Sequence, residues 1–145
     1  MGASLKCQYG LRALFELSRR YGQGLVCVPD ISKAQAIPMR FLENILNQLR
    51  QGGFVESRRG KNGGFMLAKP PAAITVADVV EFMDGGIYNI GCDGERPEHI
   101  CELKGHCVFM SVWREAKEAI ENAYRSKTLQ NLLEDDGRAP INYDI

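Results

Sequence analysis

Hydrophobic residues in positions 1–70 recur every three or four residues, in stretches that glycine or proline separates. This spacing places them on one face of a helix and predicts three short amphipathic helices. The first helix begins after Ser4, a capping residue, and extends to Tyr21. The second begins at Pro29 and the third at Pro38. The apolar stripe of the third helix is Leu42, Ile45, Leu46 and Leu49.

The pattern changes to strand-like runs on either side of the segment GKNGG. FVESRR and FMLA are typical of two strands joined by a tight turn, and Pro70-Pro71 ends the unit. A further short strand is expected over LVCV at 25–28. Three helices followed by a hairpin is the order of a winged helix-turn-helix. The fold predicted is mainly α with a small β-wing.

Helical spacing returns in the second half of the chain. TVADVVEFMD at 75–84 predicts a short helix capped by Thr75, and TLQNLLEDD predicts a terminal helix. Between them a long helix is expected from Val108 to Lys127. Its apolar stripe includes small residues, where another helix can approach closely. The stripe is Phe109, Val112, Trp113, Ala116, Ile120, Ala123 and Tyr124.

Charge divides the chain, although the 145 residues have a formal net charge of +0. Residues 1–70 carry 11 Lys and Arg against 4 Asp and Glu, and residues 71–145 carry 7 against 14. A basic half joined to an acidic half indicates a module that binds a polyanion and a second module with another task. The N-terminus lacks the apolar run of a signal peptide or a membrane span, so we expect a cytoplasmic protein without membrane contact.

Candidate DNA contacts lie on the third helix and at the hairpin tip. Arginine pairs with guanine, asparagine with adenine, and glutamate accepts from cytosine, while basic side chains on a wing contact phosphates or enter the minor groove. The candidates are Arg40, Glu43, Asn44, Asn47, Arg50, Arg58, Arg59 and Lys61. The alternative for the third helix is an ordinary amphipathic helix with a solvated face. The basic wing directly after it favours double-stranded DNA as the partner.

Three of the five cysteines lie in GCDGERPEHICELKGHCVF at 91–109. Cys92, Cys101 and Cys107 have the spacing C-x8-C-x5-C, and thiolates are soft ligands that suit zinc or an iron–sulfur cluster. A C-x2-C pair is missing, which argues against a zinc ribbon. A structural zinc site and three unconnected reduced cysteines remain as alternatives. Cys27 is expected to pack in the core, and Cys7 is either a buried cysteine of the first helix or a ligand.

The chain resembles the bacterial winged-helix repressors that include IscR, NsrR and CymR, from Ser4 to about Leu133. The segments that carry the resemblance are YGLRALFELSRRYG, IPMRFLENILNQLRQGGFVES, RRGKNGGFMLAKPP, ITVADVVEFMDG, the cysteine loop, CVFMSVWREAKEAI and TLQNLL. The resemblance implies a homodimer joined by the long helix and a pseudo-palindromic operator. It also implies that Arg59 is the wing arginine in the groove and that Glu43 discriminates between operator classes.

The resemblance also implies that the three loop cysteines hold an iron–sulfur cluster, either 2Fe–2S or 4Fe–4S. Two positions depart from the family's patterns for the fourth ligand. Met110 stands where IscR-like members have a histidine, and Gln8 stands where other members have a carboxylate. The candidates for the fourth ligand are therefore Cys7, Gln8 and His106.

The function expected is a transcriptional regulator, most simply a repressor, that senses cluster status, iron, redox state or nitric oxide. The alternatives are a cluster-free regulator of sulfur or cysteine metabolism, as in the CymR branch, and a DNA-binding protein with a structural zinc site. No Ser/His/Asp set or nucleotide-binding loop is visible in the sequence, so we do not expect an enzyme.

Four regions follow from these expectations. Residues 1–71 form the winged helix-turn-helix domain, and residues 72–107 form a short helix and the cluster-binding loop. Residues 108–134 form the dimerisation helix and the terminal helix. Residues 135–145 form a loose tail.

Overall fold

Residues 2–87, 101–103 and 105–137 are the part of the chain that the computed structural model describes, and they contain six α-helices and one two-stranded sheet. The predicted fold class, mainly α with a small β-wing, is confirmed. The elements are α1 (Leu5–Arg19), α2 (Val28–Gln35), α3 (Met39–Gln51), β1 (Val55–Arg58), β2 (Gly64–Leu67), α4 (Val76–Asp84), α5 (Met110–Arg125) and α6 (Leu129–Asp136).

Local chemistry explains where the helices begin. Ser4 caps α1, because its hydroxyl accepts a hydrogen bond from the backbone N–H of Cys7 at 3.1 Å. Thr75 caps α4 in the same way and forms a reciprocal capping box with Asp78. Both caps agree with the sequence-based prediction, although α1 ends at Arg19 rather than at Tyr21.

The strand expected over LVCV is wrong. Only Val26 pairs with the hairpin: its N–H and C=O bond the C=O and N–H of Phe65 at 2.8 and 2.9 Å. The next residue, Cys27, is already the N-cap of α2, whose first turn contains Pro29. Because proline fits the first turn of a helix, α2 begins at Val28, and Val26 forms only an isolated β-bridge.

The predicted stripe of α3 is the centre of the core. Leu42, Leu46 and Leu49 are fully buried, and they belong to the same cluster of buried side chains as residues of α1 and the wing. The cluster continues into the second half of the chain through α4 and through Leu129 of α6. Helices α4 and α6 therefore pack in one core with the first three helices, and the domain boundary after residue 71 stays a prediction.

The wing is an antiparallel hairpin in which Val55 lies opposite Leu67 and Arg58 lies opposite Gly64. Gly64 must be a glycine here. A Cβ atom on it would lie 2.3 Å from the carbonyl oxygen of Val26, which is far inside van der Waals contact. This close approach holds the turn end of β2 against the segment that leads into α2.

The long helix α5 has no buried residue. It begins at Met110 with Phe109 at its cap and ends at Arg125, so it is shorter at both ends than expected. An ion pair of 2.7 Å between Arg125 and Glu81 joins its last turn to α4. None of the helices in the described ranges is both long and apolar enough to cross a membrane. Helix α6 extends to Asp136, and residues 138–145 of the expected tail lie outside the described residues.

Candidate nucleic-acid interface and cysteine loop

The turn between α2 and α3 sets the position of the candidate recognition helix, and α1 holds this turn. Ala36 ends α2 in the left-handed conformation, with φ 50°. The Arg12 guanidinium on α1 donates hydrogen bonds to the carbonyl oxygens of Gln35 and Ala36. These bonds satisfy two carbonyls that a helix end leaves without an intrahelical partner.

A buried carboxylate strengthens the same contact. Glu16 of α1 is fully buried, and its two oxygens accept from Arg19 at 3.2 Å, from Arg20 at 3.0 Å and from the side-chain amide of Gln35 at 3.0 Å. A buried charge is tolerated when it is paired and hydrogen-bonded in this way. Sequence reasoning missed this network. The spacing from Glu16 to Arg19 and Arg20 was a usable signal, whereas Gln35 lies on another helix and had none.

A polar cleft of about 590 Å³ lies between α3 and the wing. Six of the eight candidate DNA contacts line it, from both sides: Glu43, Asn47, Arg50, Arg58, Arg59 and Lys61. All six are exposed. The fold therefore brings together residues that are up to eighteen positions apart in the sequence.

The basic side chains of the cleft differ in what they already contact. The Arg50 guanidinium donates to the Ser57 hydroxyl at 3.1 Å, so this arginine joins the end of α3 to β1. Among the described residues, the side chains of Arg58, Arg59 and Lys61 have no hydrogen-bond or ion-pair partner. Unpaired cations at a hairpin tip are suited to phosphate oxygens or to the minor groove.

The two remaining candidates on α3 lie outside this cleft. The Arg40 guanidinium stands 4.5 Å from the centre of the Phe41 ring. Asn44 lines a neighbouring groove of about 370 Å³ between α1 and α3, together with Lys6 and Tyr9. Both side chains are exposed, so they remain accessible to a partner.

Cys27 is not part of the core, contrary to expectation. It is half-buried and lines the cleft between α3 and the wing. The reason is the early start of α2, which places Cys27 at a helix cap instead of in a strand. The continuous apolar run LVCV in which it lies had favoured a buried strand.

The described part of the cysteine loop contains two thiols. Cys101 is exposed and Cys107 is half-buried, and neither forms a disulfide. The Cys107 carbonyl accepts a hydrogen bond from the N–H of Met110 at 3.2 Å, so this cysteine directly precedes α5. Cys92 lies outside the described residues. Within the described ranges, no three His, Cys, Asp or Glu side chains converge as a metal site would require.

The candidates for a fourth ligand occupy different surroundings. Cys7 is fully buried, and burial, with a further contribution from the nearby Asp84 carboxylate, raises its pKa from 9.0 to about 12. A metal ligand must be a thiolate, so this environment disfavours Cys7 as a ligand. Gln8 is exposed, and its amide donates to the Ala3 carbonyl at 2.8 Å. His106 is exposed in the loop.

One carboxylate joins the start of α1 to the entry of the loop. Asp84, the last residue of α4, accepts from the backbone N–H of Ser4 at 2.8 Å and from its hydroxyl at 2.5 Å. A carboxylate is disfavoured at the C-terminus of its own helix and favoured at the N-terminus of another. The contact therefore fixes the point where the chain leaves α4 beside the first turn of α1.

Comparison with known proteins gives one family over nearly the whole chain. The model of Rrf2, described as an iron-dependent transcriptional regulator, matches residues 3–135. The protein rrf2 of Nitratidesulfovibrio vulgaris (strain Hildenborough) is 30% identical over 142 residues, which are 98% of this chain and 93% of that protein. The HTH-type transcriptional regulator IscR of Yersinia pseudotuberculosis is 30% identical over 133 residues, which are 92% of this chain and 79% of the relative.

Solved structures agree with these matches. CymR, the global cysteine regulator of B. subtilis, superimposes with a TM-score of 0.79 at 27% identity, covering 93% of this chain and 98% of the other. IscR of T. potens superimposes with a TM-score of 0.75 at 29% identity, covering 99% and 95%. These relatives are regulators of transcription and not enzymes, in agreement with the prediction that the chain has no catalytic activity.

Proposed function

The chain belongs to the Rrf2 family of transcriptional regulators, and from this we propose that it is a homodimeric repressor that binds a pseudo-palindromic operator and senses its signal through an iron–sulfur cluster. The observation that carries the DNA-binding part is the cleft between α3 and the wing, where six candidate contacts converge. A recognition helix beside a basic hairpin is the arrangement that winged helices use to read a major groove and an adjacent backbone.

Each side of the cleft has its own task in this proposal. Glu43, Asn47 and the neighbouring Arg40 and Asn44 on α3 meet base edges in the major groove. Arg58 and Lys61 bind phosphates, while Arg59 enters the minor groove. Arg50 supports the wing through Ser57 and reaches the backbone. Because the side chains of the wing cations have no ion pair with any described residue, DNA binding at the tip breaks no ion pair within that part of the chain.

The exposed stripe of α5 supports the homodimer. Val108, Phe109 and Val112 are each more than half exposed, and Trp113 is 38% exposed. Water-exposed aromatic and branched side chains in one contiguous row mark a protein contact. A second copy of α5 covers such a row symmetrically, and two heads held in this way match two half-sites of an operator.

The proposed cluster ligands are Cys92, Cys101 and Cys107. The donor set fits, because thiols are the ligands that iron–sulfur clusters take and the two described ones are exposed or half-buried and free. Bound there, the cluster supplies a redox-active and oxygen- or nitric-oxide-sensitive centre. Cys7 is fully buried, whereas Gln8 and His106 are exposed, so these two side chains are the better-placed candidates for a fourth ligand.

A physical connection from the loop to the DNA surface supports sensing. The loop leaves α4 at Asp84, which holds Ser4 at the start of α1. Further along α1, Arg12 holds the turn that precedes α3. A change in the loop is therefore transmitted through α1, and a differential free energy of only a few kcal/mol between two states is enough for a switch.

Arg59→Ala tests the DNA-binding proposal. Affinity for an operator selected from random duplexes is expected to fall by about 1–3 kcal/mol, as measured by fluorescence anisotropy. Arg114→Ala removes an exposed arginine of α5 and is the matched control. Wild-type affinity is also expected to fall roughly a thousandfold between 50 and 200 mM salt if about six phosphates are neutralised. Equal losses in the two variants, or a flat salt dependence, would refute the cleft as the interface.

Anaerobic purification tests the cluster proposal. A brown protein with stoichiometric iron and sulfide is expected, and Cys101→Ala should lose both, whereas Cys27→Ala should keep them. A colourless protein with bound zinc would refute the proposed cluster and indicate a structural zinc site instead. A colourless, metal-free wild type would reject any metal centre and leave the DNA-binding proposal unchanged.

A second candidate function is a cluster-free regulator that responds to a sulfur metabolite or to a partner enzyme. It is favoured by the superposition on the cysteine regulator of B. subtilis and by the two departures at Gln8 and Met110. Operator binding by metal-free protein that changes with a sulfur-containing amino acid, and not with iron or oxygen, would select this candidate.

A further inference from the structure

Four side chains form a continuous stack from α1 to the first turn of α3. The Arg12 guanidinium lies 5.3 Å from the centre of the Tyr9 ring. The Tyr9 and Phe41 rings stack with centres 6.4 Å apart and an angle of 19° between their planes. The Arg40 guanidinium lies 4.5 Å from the centre of the Phe41 ring. The stack thus has a cation at each end and two aromatic rings between them.

The ring contact is the feature that defines the position of Arg40. Among the described residues, Arg40 has no hydrogen-bond or ion-pair partner, and its side chain would otherwise sample many rotamers. A guanidinium over an aromatic face keeps its N–H edges free while its plane is held. Phe41 is 41% exposed, so a ring face is accessible to the guanidinium at the protein surface.

We propose that Tyr9 and Phe41 are positioning residues that hold Arg40 in the orientation in which it meets DNA. The inference rests on the proposed function, because it requires Arg40 to contact the operator. Phe41 provides the face on which Arg40 lies, and Tyr9 fixes Phe41 from α1. Holding the arginine before binding lowers the ordering cost of complex formation.

The far end of the stack gives it a second role. Arg12 contacts Tyr9 and also binds the carbonyls of the turn before α3. Tyr9 follows Cys7 and Gln8 directly in α1, beside the point where Asp84 anchors the cysteine loop. A movement of the first turns of α1 therefore reaches Arg40 through two rings as well as through the backbone turn.

A double-mutant cycle tests the proposal with operator DNA. Arg40→Ala is expected to weaken binding by about fivefold or more. Phe41→Leu keeps an apolar side chain of similar volume and is expected to weaken binding by about two- to fivefold. In the Arg40→Ala background, the same Phe41→Leu change should have no further effect, because the group that the ring holds is absent.

Conservative variants separate positioning from folding. Phe41→Tyr keeps the aromatic face and is expected to bind DNA like wild type, and Tyr9→Phe should do the same, while urea denaturation monitors the stability of each variant. Additive losses from Phe41→Leu and Arg40→Ala would overturn the inference. So would an Arg40→Ala variant with wild-type affinity. Wild-type affinity in Arg40→Ala would also remove Arg40 from the proposed DNA contacts. Neither result affects the proposed interface in the cleft between α3 and the wing, which Arg59→Ala tests independently.

Discussion

Helices α3 and α5 both have an amphipathic sequence, but their apolar side chains differ in how far they are buried. Each has an apolar stripe on one face and charged side chains on the other. In α3, the stripe residues Leu42, Leu46 and Leu49 are 0% exposed. In α5, Val112 is 51% exposed and Trp113 is 38% exposed, and no residue of the helix is buried.

The difference shows what hydrophobic periodicity can and cannot specify. The period tells which face of a helix avoids water, but not whether the same chain covers that face. For α3, the neighbours are α1 and the wing, which follow or precede it closely in sequence. For α5, the described chain covers only the C-terminal end of the stripe, where Tyr124 packs against the core, and leaves Val112 and Trp113 exposed. A face of this kind needs a second molecule, which we propose is another copy.

The largest expected effect comes from truncating the buried stripe. Leu46→Ala leaves a cavity in the core and is expected to lower the free energy of unfolding by about 2–5 kcal/mol. Urea denaturation at 1 and 50 µM protein measures this loss, and the loss should be the same at both concentrations. A concentration-dependent loss would indicate that α3 is also covered by a second copy.

A charge in the exposed stripe should act differently. Val112→Asp places a carboxylate in the proposed dimer interface and is expected to yield a monomer in sedimentation equilibrium at concentrations where wild type is a dimer. The far-UV circular dichroism of the variant should still show the wild-type helix content, because α5 contributes no buried residue to the core of the first three helices. Glu118→Asp, on an exposed position of α5, is the matched control. A Val112→Asp variant that remains dimeric would contradict the proposed interface.

A thiol on α1 offers a test of burial that depends on pH. The folded pKa of Cys7 is about 12 and its unfolded value is 9.0, so the unfolded chain loses this proton first as pH rises. The stability due to the buried thiol is therefore complete below pH 9 and is lost progressively between pH 9 and pH 12. At pH 10 the loss should be about 1.4 kcal/mol. Urea denaturation at pH 8 and pH 10 should show this loss of unfolding free energy in the wild type and in Cys27→Ala. The loss should be absent in Cys7→Ala.

The smallest effect concerns the contact that joins the two regions. The ion pair between Glu81 and Arg125 is about half exposed on both sides. Surface pairs of this kind contribute about 0.2–1 kcal/mol, so Glu81→Gln should lower stability by no more than that. A loss above about 2 kcal/mol would mean that α5 depends on α4 much more than its exposure indicates.

Much of the fold was predictable because its signals are local. The stripe of α3, the Ser4 and Thr75 caps and the glycine-rich hairpin each lie within a few residues of the structure they specify. The error at LVCV has a physical origin. A short apolar run has no periodicity to distinguish a strand from the approach to a helix, and Pro29 decided the outcome.

The candidate site was predictable only in part. The basic wing residues are adjacent in sequence, and their exposure follows from their chemistry. The Glu16 network and the stack on Phe41 depend on helices that meet in space, and a single sequence contains no signal for such a meeting. The contact of Arg50 with Ser57 was missed for the same reason, since the two side chains become neighbours only when β1 packs against the end of α3.

The contacts of α1 have a consequence for the biosynthesis of the protein. This helix is translated before the other described elements, yet the partner of Ser4 lies 80 residues later and α1 packs on α6, near the end of the described chain. Domains form during synthesis from the N-terminus onward, but contacts of high sequence separation must wait for both partners. A nascent chain that stops before Leu129 leaves the apolar face of α1 partly uncovered. Quality control by chaperones and proteases can therefore distinguish an unfinished regulator from a complete one before it reaches DNA.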